Sequence, residues 1–131
     1  MPGPESPSLY DRIGEDLIRK AIGEFYERAF ADTMIGYLFA GTQQEQLTAQ
    51  QSAFVIALLG GPRRYNGKAL TRAHQHLGLR PAHFGRRQVL MRETLTDLAL
   101  EPELAGAWLK LEDGLKGLVL GTASSCLAHP H

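Results

Sequence analysis

The chain has 131 residues, of which 44% are hydrophobic and 21% charged, and 14 Lys and Arg balance 14 Asp and Glu to zero formal net charge at pH 7. That length supports one core and one domain, and the balance offers no electrostatic footprint for nucleic acid, an anionic membrane or an acidic substrate. Cys126 is the single cysteine, so intrachain disulfides and thiolate metal clusters are excluded and a cytoplasmic compartment is expected.

Residues 1–8 are rich in proline and lack a basic start followed by an apolar run, and no segment reaches the ~18 consecutive apolar residues of a membrane span. They read as a disordered extension. From Glu15 to Ala31, Leu17, Ile18, Ala21, Ile22, Phe25, Tyr26, Ala29 and Phe30 recur in pairs every four positions, which is the core-facing stripe of a helix. Residues 34–39 are too short for another full helix and predict a helical corner with Leu38 and Phe39 turned inward, ended by Gly41.

Thr42 is in position to cap a helix over 43–59, with Glu45 three residues later completing a capping box. The expected inward stripe is Leu47, Gln51, Phe54, Val55 and Leu58. Gln51 stands out there, because a buried amide on an apolar stripe costs free energy unless paired; a helix phase shifted by one would place Gln50 inward instead. Gly60, Gly61 and Pro62 must stop this helix.

A short helical segment over 68–76 carries His74 and His76, and Pro81 opens a helix over 81–99 with Phe84, Gln88, Met91, Leu95 and Leu98 on one face. Pro102 opens the last helix, with a stripe of Leu104, Trp108, Leu111, Leu115, Leu118 and Val119. Residues 122–131 show no periodicity and read as a mobile tail, leaving a domain over 9–121. The expected fold is all-α. Apolar residues are sparse over 68–80, so something other than side chains is expected to fill the space there, and a flat apolar cofactor would do so.

In order and spacing, several motifs resemble the truncated haemoglobins, or two-over-two globins, and among them the first of their three groups. They are LYDRIG over 9–14, Phe25-Tyr26, Leu38-Phe39 with Gly41-Thr42, LGGP over 59–62 with Tyr65 and Gly67, AHQ over 73–75, and His83-Phe84. One departure is Glu15, where the family's paired glycine has its second member. The resemblance implies two helix pairs crossed over each other, enclosing b-type haem and its iron.

It further implies His74 as the proximal iron ligand, a role for which a neutral imidazole is suited. His76 lies about 200° further round the helix and cannot face the iron from the same regular helix. Tyr26 takes the place of the distal tyrosine, whose hydroxyl donates to a diatomic ligand with superoxide-like charge, and Gln51 becomes the second donor beside it. Phe39 corresponds to the phenylalanine stacked on the haem face. Phe25, Leu47, Phe54, Val55, Leu58 and Phe84 are expected to line the pocket, and Thr42, Tyr65, Lys68, Arg72 and Arg80 to approach the propionates. Arg87 departs from an apolar family position, so either its charge snorkels to solvent or a propionate, or the helix is rotated and Gln88 takes its place.

The implied function is reversible binding of dioxygen and other diatomic ligands such as NO and CO, for oxygen binding or sensing or for NO detoxification. The enzyme reading is nitric oxide dioxygenation, which needs electrons from an external reductase because no reductase domain fits in this length. A haemless helical interaction module built on the same fold is the alternative from another class.

Overall fold

The computed structural model describes residues 7–62 and 80–115, which form five α-helices and one 3₁₀ turn with no strand among them. Helix α1, Leu9–Ile13, starts on a capping box in which Ser8 Oγ accepts from the Asp11 amide at 3.0 Å and the Asp11 carboxylate accepts from the Ser8 amide at 3.3 Å. Ser8 thus belongs with the first helix rather than with the extension.

Gly14, at φ +96°, ends α1 and begins α2, Glu15–Ala31. Such a φ favours glycine, so Gly14 alone makes the turn and Glu15 opens the helix. The stripe read from the sequence is the face that is buried: Ile18, Ala21, Ile22, Phe25, Tyr26 and Ala29. After Asp32 the chain turns through a 3₁₀ segment, Gly36–Phe39, that buries Phe39.

Helix α3 spans Gln44–Leu58 and starts one residue later than expected, with Gln43 at the cap and no side-chain capping bond. Thr42 is therefore one residue too far out to reach the free amides of the first turn. Its own N–H donates to the Phe39 carbonyl at 2.8 Å, and the expected capping box does not form. At the other end Gly60 has φ +108°, and a Cβ there would stand 2.6 Å from Ser8 Cβ. The Tyr10 amide donates to the Leu59 carbonyl at 2.8 Å, so the glycine stop allows α1 to dock on the end of α3.

Prolines open the last two described helices, α4 over Pro81–Asp97 and α5 over Pro102–Asp113. Helix α2 is central, packing on both α3 and α4, while α5 packs on α4 and α1. Their shared core includes Ile18, Phe25, Val55, Met91, Leu95 and Trp108, each no more than 1% exposed.

An ion pair pins the corner after α2 onto α4. Asp32 accepts from Arg86 Nη2 at 2.7 Å and Nε at 3.1 Å, and from the amides of Met34 and Ile35. The Arg86 guanidinium holds the Asp32 carboxyl below its ordinary value, with those amides assisting. A carboxylate depressed in the folded state contributes stability above its unfolded value, about 3.8, and loses it as pH falls toward the folded value. The stability gap between wild type and Asp32→Asn, measured by urea unfolding, is expected to narrow as pH drops below about 4; a constant gap would show that charge is not what the pair contributes.

Candidate functional site

The second half of α2 and the 3₁₀ corner assemble an aromatic cluster. Phe25 and Tyr26 meet edge to face with ring centroids 4.7 Å apart, Tyr26 stands perpendicular to Phe39 at 6.1 Å, and Phe39 stacks on Phe30 at 4.5 Å. Helix α3 supplies the neighbouring wall through Leu47, Gln51, Phe54 and Val55, all buried. Gln51 is 5% exposed, whereas Gln50 points to solvent, so the helix phase is the one that places Gln51 inward. Leu58 is half-buried and borders an apolar cleft with Leu9 and Leu111 on the α1 and α5 side.

Tyr26 and Gln51 are the polar members of this face. Among the described residues no hydrogen bond engages the Tyr26 hydroxyl or the Gln51 amide, and no side-chain polar atom is fully enclosed without a partner. Both groups therefore border accessible space rather than closed packing. Burial pushes the Tyr26 hydroxyl up to about 12, against a downward pull from Arg87 that exceeds the upward push of Glu112. The phenol consequently keeps its proton, and its donor capacity, throughout the physiological range.

Arg87 neither carries its charge out to solvent nor gives up its place to Gln88. Its side chain is only 15% exposed and points inward, where Nη1 donates to Glu112 Oε1 at 2.9 Å and Nη2 to Oε2 at 3.4 Å. Glu112, itself 4% exposed, also accepts from Trp108 Nε1 at 2.9 Å. Gln88 accepts from Arg87 Nη1 and does not replace it in the core. The guanidinium carbon lies 4.8 Å from the Phe25 ring centroid and 5.9 Å from that of Phe84.

The periodicity of α5 points to Leu111, which is 40% exposed, and so passes over Glu112. The inward line is Leu104, Trp108 and Glu112, spaced four apart. The available signal was Arg87 itself, since a cation on an apolar stripe requires a buried partner. Similarly, Leu90 and Thr94 are buried on α4 but absent from the expected face, Thr94 because its hydroxyl donates to the Leu90 carbonyl at 2.8 Å and so satisfies itself locally.

Of the remaining candidates, Phe84 is buried and Thr42 half-buried, while Arg80 is exposed. His83 forms a polar link: Nδ1 accepts from the Arg80 amide at 3.0 Å, which leaves the ring proton on Nε2 to donate to Tyr37 Oη at 3.1 Å. His74, Tyr65, Lys68, Arg72 and His76 lie outside the described residues. No helix among the described residues is long and apolar enough to cross a membrane.

The helical frame is that of a globin, and the family model for bacterial-like globins matches residues 8–119. A group 1 truncated hemoglobin of Tetrahymena pyriformis is 30% identical over 115 residues, covering 87% of this chain and 95% of that protein. One from Mycolicibacterium paratuberculosis is 38% identical over 82 residues, 62% of this chain and 60% of that one. The crystal structure of the Tetrahymena pyriformis protein in its Fe(III) form superposes with a TM-score of 0.80 at 29% identity, covering 88% of this chain and all of that one. A Synechococcus 2/2 hemoglobin with covalently attached heme gives the same TM-score at 25% identity and the same coverage. The chain belongs to the truncated haemoglobins, with the all-α two-over-two fold. The cofactor of this family is haem b, and family membership implies haem-based binding of small diatomic ligands.

Proposed function

We propose that this chain binds b-type haem against the wall formed by α2, the 3₁₀ corner and α3, with His74 as the iron ligand and Tyr26 and Gln51 as distal donors. The observation that carries the reading is the pair of uncharged polar groups, 3% and 5% exposed, on an otherwise apolar aromatic face. A closed core would pair such groups with each other or with backbone; a flat apolar cofactor holding a small polar ligand gives them something to bind. Bound haem supplies a ferrous iron that takes dioxygen, NO or CO.

Phe39, Phe25, Leu47, Phe54, Val55 and Phe84 exclude water from that face, and in a low-dielectric setting a hydrogen bond to a developing negative charge is worth more than in water. Two such donors slow the loss of bound oxygen, which suits sensing or chemistry such as NO detoxification better than transport. Turnover in that chemistry requires an electron donor from a separate reductase.

An absorbance spectrum of the purified, haem-supplemented protein tests the reading. A Soret band is expected, with ferrous ligation lost in His74→Leu. A haemless wild type would overturn it in favour of a helical interaction module, and an unchanged His74→Leu spectrum would overturn the ligand assignment alone.

A further inference from the structure

We propose that Arg87 is a positioning residue for Tyr26: held by Glu112, which Trp108 in turn anchors, and seated on the ring of Phe25, it turns a net positive field toward the Tyr26 hydroxyl and favours ligands that carry or develop negative charge. The geometry is directional. The guanidinium lies over the face of Phe25 at 4.8 Å, and Phe25 in turn meets Tyr26 edge to face at 4.7 Å, so cation and phenol ring pack against one shared ring. The compensating carboxylate comes from α5 and is tied back there by Trp108 Nε1. The pair is thus a dipole with its positive end on the aromatic side.

Stability gives little reason to retain such a pair, because well-packed apolar residues of similar volume often do as well or better than a buried ion pair. Its two charges are also unequal at the phenol: Arg87 lowers the Tyr26 hydroxyl more than Glu112 raises it, and these are the charges acting on it among the described residues. A more acidic phenol is a stronger donor toward an anionic acceptor. The field at Tyr26 stands independently of the cofactor, whereas the ligand preference rests on the distal role proposed above.

The test uses haem-bound, CO-ligated protein in which the tyrosines are replaced by a fluorinated tyrosine. Its intrinsically more acidic phenol brings the titration into the range where the protein is folded, and ¹⁹F NMR follows Tyr26, assigned by Tyr26→Phe. In the nearly isosteric, uncharged double variant Arg87→Met/Glu112→Gln, the Tyr26 midpoint is expected to rise. In Glu112→Gln alone, which leaves the cation uncompensated, it is expected to fall. Unchanged midpoints, or shifts of the same sign in both variants, would overturn the proposal, and either variant suffices if the other does not fold. Oxygen release is expected to become several-fold faster in the double variant, and azide affinity of the ferric protein several-fold weaker. Opposite midpoint shifts with unaltered oxygen release and azide affinity would uphold the field and overturn the ligand preference, whereas the distal role of Tyr26 itself falls only if Tyr26→Phe leaves oxygen release unchanged.

Discussion

Glu112→Ala is expected to destabilise the folded chain by roughly 3–5 kcal/mol, the cost of leaving a buried charge without its partner. Arg87 would then keep its charge at 15% exposure with no carboxylate opposite, and Trp108 Nε1 would lose its acceptor. In a domain of this size such a loss corresponds to a drop in Tm on the order of 10 °C. Urea or thermal unfolding followed by circular dichroism, at matched haem content, measures it. Removing both charges with side chains of similar volume, as in Arg87→Met/Glu112→Gln, is expected to restore most of the loss, since desolvation of the ions disappears along with their attraction. A cost below about 1 kcal/mol for Glu112→Ala would instead be the behaviour of a solvated surface pair.

Tyr26→Phe should act on ligand release while leaving the fold nearly untouched. The hydroxyl has no hydrogen-bond partner among the described residues, so its removal breaks no hydrogen bond among them, and the aromatic packing against Phe25 and Phe39 survives in phenylalanine. A hydrogen bond to a charged acceptor is worth roughly 1.5–3 kcal/mol, which converts to oxygen dissociation about tenfold to hundredfold faster. Gln51→Leu should accelerate release less, because a neutral amide is the weaker donor to an anion-like ligand. Stopped-flow replacement of oxygen by CO measures both. With the phenol pushed up to about 12, Tyr26 remains protonated, and its contribution should be flat between about pH 6 and pH 9. Equal rates in wild type and Tyr26→Phe would sink the donor role, and a large loss of stability would mean that the hydroxyl is structural.

The two predictions differ in how visible their residues were in the sequence. Tyr26 lies on a stripe whose period is set by the helix itself, so Ile18, Ala21, Ile22, Phe25 and Ala29 announce its burial. Gln51 required one further fact, the phase of α3, which its neighbours Leu47, Phe54 and Val55 suggest without fixing. The helix starts at Gln44, and the cap assigned to Thr42 fails by a single residue, although the inward face is unaffected. Near a helix start several polar residues compete for the cap, and which one wins depends on how the preceding corner is held, here by the Thr42 amide on the Phe39 carbonyl.

Glu112 was illegible for a different reason. Its charge reads as a solvated position on α5, and the residue that makes it a buried one, Arg87, lies 25 positions away on α4. No local periodicity encodes a pairing between helices. Leu111 and Glu112 are adjacent, so a modest rotation of α5 decides which is buried, and the Trp108 indole and the Arg87 guanidinium settle it in favour of the carboxylate.

The all-α class, the helix stop at Gly60, the starts at Pro81 and Pro102 and the buried face of α2 are legible in the chain alone, because backbone conformation and helical period are properties of short stretches of chain. The packing of the helices is what buries Gln51 rather than Gln50 and brings an arginine on α4 to a glutamate on α5 beside Phe25. Both outcomes depend on how helices rotate against one another, and that rotation is fixed by contacts between residues far apart in the chain.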